Sequence, residues 1–465
     1  MKVLLIAPPM AVTDRYPKGH PLRVGKQVTE PLGLAYVAAV LERHDIEVRI
    51  IDAIVEDLST AEVITAAKQF NPDIIGMPMW TPTAKVVMDL ATEFKNNLPN
   101  VYIVVGGIHP TVLPEETLEC KAIDFVVRGE GEHAALELVN AIEKKGSLSK
   151  IKGLAYREGN KVIINPEREP LKDLDSLPFP ARHLLSMPKY KQFLTKNNPA
   201  YILFSSRGCP FGCTFCCRDV GGRFYRARKP EKVIEEIKVL INTYGAKEIT
   251  FSDSLFGAQK EWVFELTELI KKEKLNITWS CNTRANVVSK ETLKAMKDAG
   301  CWMVYYGIES GDPEILKIIN KGETVEEIRQ AIKWTNEVGI QSWGSFMFAL
   351  PGETPESATK TINFAKSLGL DFASFHLTTP FPGTYLFSEA SRWGDLEMDY
   401  KNYTTLHSIF VPKGYKNKTE LDTILKKAFR EFYLRPNYFV SRLLKLRSLG
   451  DITMNLNGLK AMIKS

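Results

Sequence analysis

Four cysteines lie within nine residues of one another, and their spacing is the clearest sign of chemistry in this chain. They are Cys209, Cys213, Cys216 and Cys217, in the segment YILFSSRGCPFGCTFCCRD. The first three follow a Cys-x3-Cys-x2-Cys spacing, and two glycines in the loop would let the backbone curl so that three thiolates converge on one [4Fe–4S] cluster. Three ligands leave one iron without a protein donor, so the spacing predicts a cluster that is open to another ligand.

A zinc site is the competing interpretation of these cysteines. Structural zinc usually takes four Cys or His ligands in two pairs that a longer loop separates, and the chain has no second pair. Cys217 is the only local fourth candidate, and adjacent side chains rarely face the same metal, so we interpret it as a buried neighbour. Cys120, Cys281 and Cys301 stand singly and are expected to be small apolar core residues. The sequence therefore favours the iron–sulfur cluster.

The first 140 residues alternate short β-rich runs with apolar segments at helical spacing. The β-rich runs are Val3–Ala7, Glu47–Asp52, Asp73–Met77, Tyr102–Gly106 and Asp124–Arg128. This alternation predicts a parallel sheet with helices on both faces, and ligands bind such sheets beyond the carboxyl ends of the strands. The paired glycines at one strand end, Gly106 and Gly107, would let a bulky flat ligand approach the backbone closely.

A connector marked by prolines follows this alternating part. Gly153–Glu158 and Lys161–Asn165 predict a small hairpin, and the segment LKDLDSLPFPARHLL comes after it. Pro178 and Pro180 in that segment predict a stiff, extended linker. We therefore expect the domain boundary between residue 165 and residue 199.

The cysteine motif, the connector and the order of these parts resemble the B12-binding radical S-adenosylmethionine (SAM) enzymes. Phe215 matches the aromatic residue that these enzymes usually place between the last two cysteines, near the adenine of SAM. The resemblance implies an α/β protein with a Rossmann-like cobalamin-binding domain at residues 1–140 and a partial (β/α)6 radical SAM barrel at residues 196–395. Residues 141–195 would form the linker with its hairpin, and residues 396–465 a mostly helical C-terminal region.

Six β/α units are predicted in the order that such a barrel requires. The predicted strands are Tyr201–Ser205, Glu248–Ser252, Thr278–Asn282, Met303–Gly307, Gln341–Ala349 and Phe372–Leu377. The predicted helices between them are Pro230–Thr243, Lys260–Lys272, Ser289–Ala299, Val325–Val338 and Pro355–Ser367. Functional residues of barrels lie at the carboxyl ends of the strands, which is where this sequence places its charged motifs.

The resemblance implies that SAM binds the open iron through its amino and carboxylate groups and is cleaved to a 5′-deoxyadenosyl radical. Asp253 would then hold the SAM ammonium group or face the substrate, and Arg284 would pair with the SAM carboxylate. Glu309, in a Gly-Ile-Glu-Ser motif, would bind the ribose hydroxyls or the methionine amine. The backbone of Phe348–Pro351 would border the adenine. For each charged residue, the alternative is an ion pair or a cap at the barrel mouth.

The N-terminal part lacks the Asp-x-His-x-x-Gly motif whose histidine binds cobalt in many cobalamin proteins. The loop after the first strand reads PPMAVTDRYPKGH, and its His20 is wrongly spaced, so we interpret it as a solvated residue. The resemblance therefore implies cobalamin bound base-off without a protein histidine, with its dimethylbenzimidazole tail near Gly106 and Gly107. Trp80 would cover the lower face of cobalt, and the alternative for it is an ordinary core aromatic.

The formal net charge of +6 is concentrated at the C-terminus, where residues 421–465 carry nine Lys/Arg and three Asp/Glu. The segment FREFYLRPNYFVSRLLKLRSL mixes basic and aromatic residues at helical spacing. We expect its aromatic residues to pack on the barrel. The alternative is a basic, amphipathic surface that meets an anionic, lipidic or protein substrate or contacts a membrane peripherally. No recognised RNA-binding module is present, so we expect no nucleic acid partner.

The expected location is the cytoplasm. No apolar stretch approaches the length of a membrane span, and the N-terminal apolar run is too short for a secretory signal. Crowded cysteines in a large cytoplasmic protein also suit metal chemistry better than disulfides. An enzyme of the implied class needs an external electron donor, such as a ferredoxin or a flavodoxin.

Methyl transfer to an unactivated carbon is the first function that the resemblance implies. The deoxyadenosyl radical would remove a hydrogen atom, and the substrate radical would take a methyl group from methylcobalamin. The alternative keeps both cofactors without methyl transfer, as in anaerobic magnesium-protoporphyrin monomethyl ester cyclases or in lipid- and tetrapyrrole-tailoring enzymes. The six complete units disfavour a non-catalytic sensor, and a tRNA methylthiotransferase would want more N-terminal cysteines than Cys120. A peptide or protein side chain, a lipid and a tetrapyrrole all remain open as substrates.

Overall fold

The computed structural model describes residues 1–9, 28–192, 194–436 and 438. The described chain divides into two compact units. Residues 1–9, 28–191 and 217–223 form the first unit, and the remaining described residues form the second. Within the described residues, no helix is both long and apolar enough to cross a membrane.

The first unit is a seven-stranded sheet in the order β2-β1-β3-β4-β5-β6-β7. The strands are β1 (Lys2–Ala7), β2 (Glu47–Asp52), β3 (Ile74–Pro78), β4 (Tyr102–Gly106), β5 (Phe125–Val127), β6 (Leu154–Glu158) and β7 (Lys161–Ile164). Strands β1 to β5 are parallel, and the hairpin of β6 and β7 continues the sheet in antiparallel fashion. The helices are α1 (Leu32–Glu42), α2 (Thr60–Phe70), α3 (Ala84–Asn97), α4 (Ile108–Val112), α5 (Pro114–Glu119) and α6 (Glu132–Glu143).

Strand β1 shows why this sheet is doubly wound. Leu4 and Ile6 belong to one apolar core, whereas Val3 and Leu5 belong to another. Because successive side chains of a strand point to opposite faces, an uninterrupted apolar run requires a covering layer on both faces. The predicted parallel sheet is therefore confirmed, and the predicted hairpin extends that sheet.

The second unit contains a six-stranded parallel sheet in the sequential order β8-β11-β12-β13-β14-β15. Its strands are β8 (Ala200–Leu203), β11 (Glu248–Phe251), β12 (Thr278–Thr283), β13 (Cys301–Glu309), β14 (Gln341–Phe348) and β15 (Phe372–Leu377). Two short antiparallel pairs accompany it: β9 (Ser206–Arg207) with β10 (Arg226–Ala227), and β16 (Gly394–Leu396) with β17 (Phe410–Pro412). The sequential order is that of the expected open (β/α)6 barrel.

Helices follow each of the six parallel strands. They are α7 (Pro230–Tyr244), α8 (Lys260–Lys272), α9 (Lys290–Asp298), α10 (Pro313–Ile318), α11 (Val325–Glu337), α12 (Pro355–Ser367), α13 (Tyr385–Ser388), α14 (Ala390–Trp393) and α15 (Lys418–Tyr433). Capping boxes fix several of their starts; for example, Ser289 and Thr292 cap α9 reciprocally, which satisfies orphan backbone donors. The bounds agree with the predicted barrel helices to within two residues.

The described part of the basic C-terminal segment packs against the barrel. Phe429 and Phe432 contact the ring of Phe375 on β15, with ring centroids 5.2 and 6.0 Å apart. The hydroxyl of Tyr433 donates to the carbonyl of Ala373 at 2.6 Å and accepts from its backbone nitrogen at 3.1 Å. For this part, the expected aromatic packing is confirmed. The rest of the segment, residue 437 and residues 439–465, lies outside the described residues.

Candidate functional site: a cysteine loop with a buried charge network

The cysteine loop follows strands β8 and β9 and is held by the segment after α10. The backbone nitrogen of Thr214 donates to the carbonyl of Ile319 at 3.0 Å, and the side chain of Asn320 donates to the carbonyl of Gly212 at 2.9 Å. A Cβ at position 212 would come within 2.8 Å of the Asn320 amide nitrogen, so this close approach explains the glycine. Neither contact uses a cysteine side chain.

None of the three spaced cysteines on this loop is in a disulfide in the described part of the chain. Cys209 and Cys213 are half-buried, and Cys216 is exposed. The backbone nitrogen of Cys216 donates to the carbonyl of Cys213 at 3.2 Å, which turns the chain between the last two cysteines. In number and type the thiols match the ligands of an open [4Fe–4S] cluster, but within the described residues their side chains are not gathered into a group that could hold a metal ion, so their shared ligation stays a prediction.

Cys217 has different surroundings from its neighbours. It groups with the first unit, whereas Cys216 groups with the second. Its sulfur donates to the Asp219 carboxylate at 3.6 Å, and burial, with this carboxylate nearby, raises the pKa of the Cys217 thiol to about 11. Its sulfur already has a carboxylate as its hydrogen-bond partner, and its exclusion from the ligand set stays a prediction.

Arg284 places its charge against the cysteine loop. It follows β12 and is buried, with its guanidinium 3.8 Å from the ring centroid of Phe211. Its Nη1 donates to the sulfur of Cys213 at 3.5 Å, its Nε donates to the side chain of Asn286 at 3.3 Å, and its Nη2 donates to the carbonyl of Lys321. The structure thus directs Arg284 at one of the three cysteines predicted to hold the cluster, and its contact with the SAM carboxylate stays a prediction.

Glu309 ends strand β13 in a left-handed backbone conformation, with φ at +67°. Such a conformation is unfavourable for a residue with a Cβ, so the surrounding structure must hold it. The side chain is buried, and its Oε1 accepts a hydrogen bond from the Lys321 amine at 3.1 Å. Glu309 is therefore pinned by an ion pair at the strand end where the sequence predicted a SAM contact.

Lys321 connects four charged side chains into one network, and the sequence did not predict its role. Its amine lies 3.1 Å from Glu309 and 3.4 Å from Glu323, and Glu323 lies 3.4 Å from Arg284. All four side chains are buried. Burial alone would lower the pKa of Lys321, but the two carboxylates outweigh it, so the pKa is raised and the amine stays charged. The only sequence signal was a charged Asn-Lys-Gly-Glu turn after α10.

Asp253 holds the entrance of the cysteine loop. Its carboxylate accepts hydrogen bonds from the backbone nitrogen of Ser205 at 2.8 Å, from the Ser205 hydroxyl and from the Ser206 hydroxyl at 2.8 Å. Burial raises its pKa to about 6, although these bonds oppose the shift. The structure gives Asp253 a positioning role, and a contact with SAM or substrate stays a prediction.

The two phenylalanines predicted near adenine have different surroundings. Phe215 lies half-buried on the cysteine loop, where a ligand can reach it. The side chain of Phe348 is fully buried against Phe375, and its carbonyl accepts from the backbone nitrogen and the hydroxyl of Thr378, both at 2.8 Å. The structure therefore does not bring the Phe348 ring and Phe215 together, and the adenine contacts stay predictions.

The candidate cobalamin edge lies in the first unit, where β3 and β4 end. Gly107 has φ at +101°, and a Cβ there would lie 3.0 Å from the carbonyl of Met79. The backbone nitrogen of Met79 donates to the carbonyl of Gly106 at 2.7 Å, and that of His109 donates to the carbonyl of Met79 at 3.3 Å. The glycine at 107 is thus required by two backbones in close approach.

Trp80 stands at this same edge with 53% of its surface exposed. That exposure excludes the alternative of an ordinary core aromatic. At the same edge, His109 is fully buried with its Nδ1 3.3 Å from the Thr81 hydroxyl and its Nε2 3.7 Å from the Glu116 carboxylate, and burial lowers its pKa to about 4. An exposed ring beside exposed backbone fits a large, flat ligand. His20 and its loop lie outside the described residues.

Comparisons with known proteins agree with both units. The family model of the radical SAM superfamily matches residues 203–365, and that of the B12 binding domain matches residues 22–139. The chain is 39% identical over 444 residues to an uncharacterised methyltransferase of Pyrococcus horikoshii, covering 95% of this chain and 94% of that protein. It is 29% identical to the anaerobic magnesium-protoporphyrin IX monomethyl ester cyclase of Rubrivivax gelatinosus, covering 94% and 79% of the two chains.

A solved structure shares the fold over both units. The radical SAM methyltransferase TsrM from Kitasatospora setae, with cobalamin and a [4Fe–4S] cluster bound, matches with a TM-score of 0.73 at 16% identity. The match covers 99% of this chain and 98% of that one. The family models confirm the expected fold class and the expected cofactors, namely SAM with its [4Fe–4S] cluster and cobalamin. The chain is an enzyme that belongs to the family of B12-binding radical SAM enzymes.

Proposed function

We propose that this enzyme transfers a methyl group from SAM, by way of cobalamin, to an unactivated carbon of its substrate. The observation that carries the proposal is that the 39% identity to a methyltransferase extends through both units, over 95% of this chain. The cyclase relative matches at 29% identity. Both cofactor-binding units are needed for this reaction, and the chain contains both.

The second unit would hold the radical-forming cofactors. When bound, the cluster supplies the electron that cleaves SAM, and cobalamin carries the methyl group. Cys209, Cys213 and Cys216 would hold the cluster, and Arg284 would stabilise the thiolate of Cys213 through the contact at 3.5 Å. The buried side chains of Arg284, Glu309, Lys321 and Glu323 pair with one another next to the loop. These residues would therefore fix the charge around the open iron before SAM arrives.

Glu309 and Lys321 would form the polar wall of the SAM site. The left-handed backbone of Glu309 is held by the ion pair with Lys321, so its carboxylate cannot swing freely. A fixed carboxylate can accept hydrogen bonds from ribose hydroxyls or from an ammonium group without losing rotamer entropy on binding. This preorganisation supports the predicted role of Glu309.

In the first unit, Trp80, Gly106 and Gly107 would contact cobalamin. Trp80 offers an exposed ring, and the glycines expose backbone at the strand ends. We propose that a ferredoxin or a flavodoxin supplies the electrons. For the substrate, we retain a peptide or protein side chain, a lipid or a tetrapyrrole.

Anaerobic reconstitution of the full chain with iron, sulfide and hydroxocobalamin tests the proposal. We expect a base-off cobalamin spectrum, and on reduction with SAM we expect both S-adenosylhomocysteine and 5′-deoxyadenosine. Methyl transfer from deuterated-methyl SAM would add a labelled methyl group to the substrate, detected by mass spectrometry. Formation of 5′-deoxyadenosine without S-adenosylhomocysteine, with loss of hydrogens from the substrate, would instead establish the cyclase-type reaction.

A further inference from the structure

The inner face of the six-stranded sheet presents a row of side chains that the cofactor sites do not use. On β15, Phe375 packs outward against α15, as its contacts with Phe429 and Phe432 show. Because side chains alternate along a strand, Ser374 and His376 face inward. Both are only partly buried by their neighbours, so a ligand can reach the inner face where Ser374 and His376 lie.

The floor of this inner face is aromatic. Tyr305, Trp343 and Phe372 are register partners on β13, β14 and β15. The ring of Trp343 lies 5.5 Å from the ring of Tyr305 and 5.5 Å from that of Phe372, and it is nearly parallel to the latter, at 29°. The indole nitrogen of Trp343 donates to the hydroxyl of Ser374 at 3.0 Å, which fixes the plane of the indole.

Small residues occupy the next row toward the carboxyl ends of the strands. Gly307, Ser345 and Ser374 are register partners there. The side chains of this row, one glycine and two serines, are much smaller than the three rings of the row below. His376 pairs with Met347 in the row above and so borders the same space.

His376 brings one unpaired polar atom to this space. Its Nδ1 is buried and has no hydrogen-bond partner among the described residues. A buried polar atom without a partner costs on the order of 1–3 kcal/mol, so a ligand that supplied one would be favoured. Burial lowers the pKa of His376, so the ring is neutral near pH 7 and one of its nitrogens accepts a hydrogen bond.

Below the rings, Glu248 is satisfied by the protein itself. Its carboxylate, at the start of β11, accepts from the backbone nitrogens of Lys196 and Asn197 at 2.8 Å and from the indole of Trp302 at 3.0 Å. The Thr250 hydroxyl donates to the side-chain oxygen of Gln192 at 2.7 Å. The carboxylate at this end of the sheet therefore already has its donors within the chain.

The same space adjoins the candidate SAM wall. A Cβ at Gly307 would lie 2.7 Å from the Glu309 carboxylate and 3.2 Å from the Lys321 amine. A ligand on the aromatic floor would therefore lie against the residues that we assign to SAM. Such a position is what the hydrogen-abstracting step requires of a substrate.

We propose that this space binds the reacting end of the substrate, and that His376 accepts a hydrogen bond from an N–H or O–H group on a flat, uncharged ring. The aromatic floor selects flatness, and the acceptor nitrogen of the neutral imidazole pairs with a donor. The side chains of the three rows are themselves uncharged, and the charged groups that adjoin them, Glu309 and Lys321, are already paired with each other. This inference rests on the proposed function, since it names the substrate class of that site. It favours a ring-bearing substrate over a saturated lipid chain.

Two matched probes test the inference on the full, cluster-loaded chain. The first is 2-naphthol, a flat ring with a donor, and the second is 2-methoxynaphthalene, which keeps the ring and lacks the donor. We expect equilibrium dialysis to show 2-naphthol binding roughly tenfold more tightly, the usual size of one net hydrogen bond. In His376→Phe, we expect the two affinities to become equal, and in His376→Gln, which keeps an acceptor, a preference to remain.

One further variant tests the aromatic floor, and another controls for the replacement of a histidine by phenylalanine. Trp343→Leu removes the flat floor and should weaken both probes by a similar factor while keeping their ratio. His183→Phe, at a largely exposed histidine of the first unit, should change neither affinity. SAM affinity should be the same in His376→Phe as in the parent chain.

Three results would overturn the inference. They are equal binding of the two probes to the parent chain, an unchanged preference in His376→Phe, and a loss of SAM affinity in that variant. The last result would mean that the space holds the adenine of SAM. Reductive formation of 5′-deoxyadenosine reports on the proposed function independently, so a failed probe test with intact SAM cleavage rejects only the substrate class.

Discussion

The two candidate cofactor regions of this enzyme differ in the chemical groups that line them. The cysteine loop of the second unit is surrounded by a buried network of four charged side chains, with Lys321 between Glu309 and Glu323. The strand edge of the first unit offers backbone, two glycines and the exposed ring of Trp80. One region is prepared for charged ligands, and the other for a large, flat one.

This difference predicts how each region responds to substitution. Buried charges depend on one another, so removing one leaves another uncompensated in a poorly solvated place. Backbone contacts do not depend on side-chain identity, and an exposed ring can be truncated without opening a cavity. Single substitutions should therefore have large effects near the cysteine loop and small ones at the strand edge.

The largest effect is expected from replacing any of the three spaced cysteines with alanine. Cys209→Ala, Cys213→Ala and Cys216→Ala should each abolish SAM cleavage, because two thiolates do not hold the cluster in its open geometry. Anaerobic assays of 5′-deoxyadenosine measure this directly. Retained cleavage in one variant would remove that residue from the ligand set.

Cys217→Ala is the matched control for these variants. It should keep its iron content and its SAM cleavage, because the Cys217 thiol donates a hydrogen bond to the Asp219 carboxylate and is not one of the three spaced cysteines. Loss of iron from this variant would show that the ligand set is misassigned.

A smaller but substantial effect is expected from Lys321→Met. The change leaves Glu309 and Glu323 buried without the amine between them, and breaking a buried pair in this way typically costs about 3–5 kcal/mol in the free energy of unfolding. SAM affinity should fall as well, because Glu309 is no longer held. Anaerobic urea denaturation and SAM titration provide the two measurements.

Lys360→Met provides the comparison for Lys321. Lys360 also pairs with a carboxylate, Asp312 at 2.9 Å, but 66% of its side chain is exposed. Solvent screens such a pair, so we expect no resolvable change in stability. Equal effects of the two substitutions would contradict the distinction between a buried network and a surface pair.

A modest effect is expected at the strand edge of the first unit. Trp80→Ala should weaken cobalamin binding roughly tenfold, the scale of one aromatic contact, and should leave the free energy of unfolding unchanged. Tyr102→Ala removes another exposed aromatic at the opposite edge of the same sheet and should leave cobalamin affinity alone. If both variants bind cobalamin like the parent chain, Trp80 does not contact it.

The smallest effect is expected from His20→Ala. His20 is not part of a cobalt-binding motif in the sequence, so the absorption spectrum of bound cobalamin should not change. A spectral shift in this variant would indicate a histidine-ligated cobalt. It would also show that the first unit relies on a side-chain ligand after all.

Much of the fold could be predicted from patterns along the chain. The apolar run of Val3–Ala7 predicted a strand covered on both faces, and the structure places alternate residues in two cores. The barrel strands were predicted because each apolar run ends in a polar motif. The left-handed backbone of Glu309 was not predictable, since nothing in Gly-Ile-Glu-Ser specifies a positive φ.

The candidate site could be predicted from the sequence only in part. Arg284 and Cys213 are 71 residues apart, and their contact depends on two loops from different strands meeting. Lys321 was missed because its turn resembles an ordinary solvated loop in sequence. Asp253 was found for its position, but its three hydrogen bonds to Ser205 and Ser206 appear only in the structure.

The sequence by itself determined the ligand spacing of the cysteine loop and the order of strands and helices. The cysteines have a short, fixed spacing, and the strands and helices show the side-chain periods that the backbone imposes. Both can therefore be recognised from the sequence alone. Only the tertiary structure decided which charges share a buried site and that Nδ1 of His376 has no hydrogen-bond partner among the described residues. Those outcomes depend on which segments, distant along the chain, pack together, and local sequence patterns do not specify that packing.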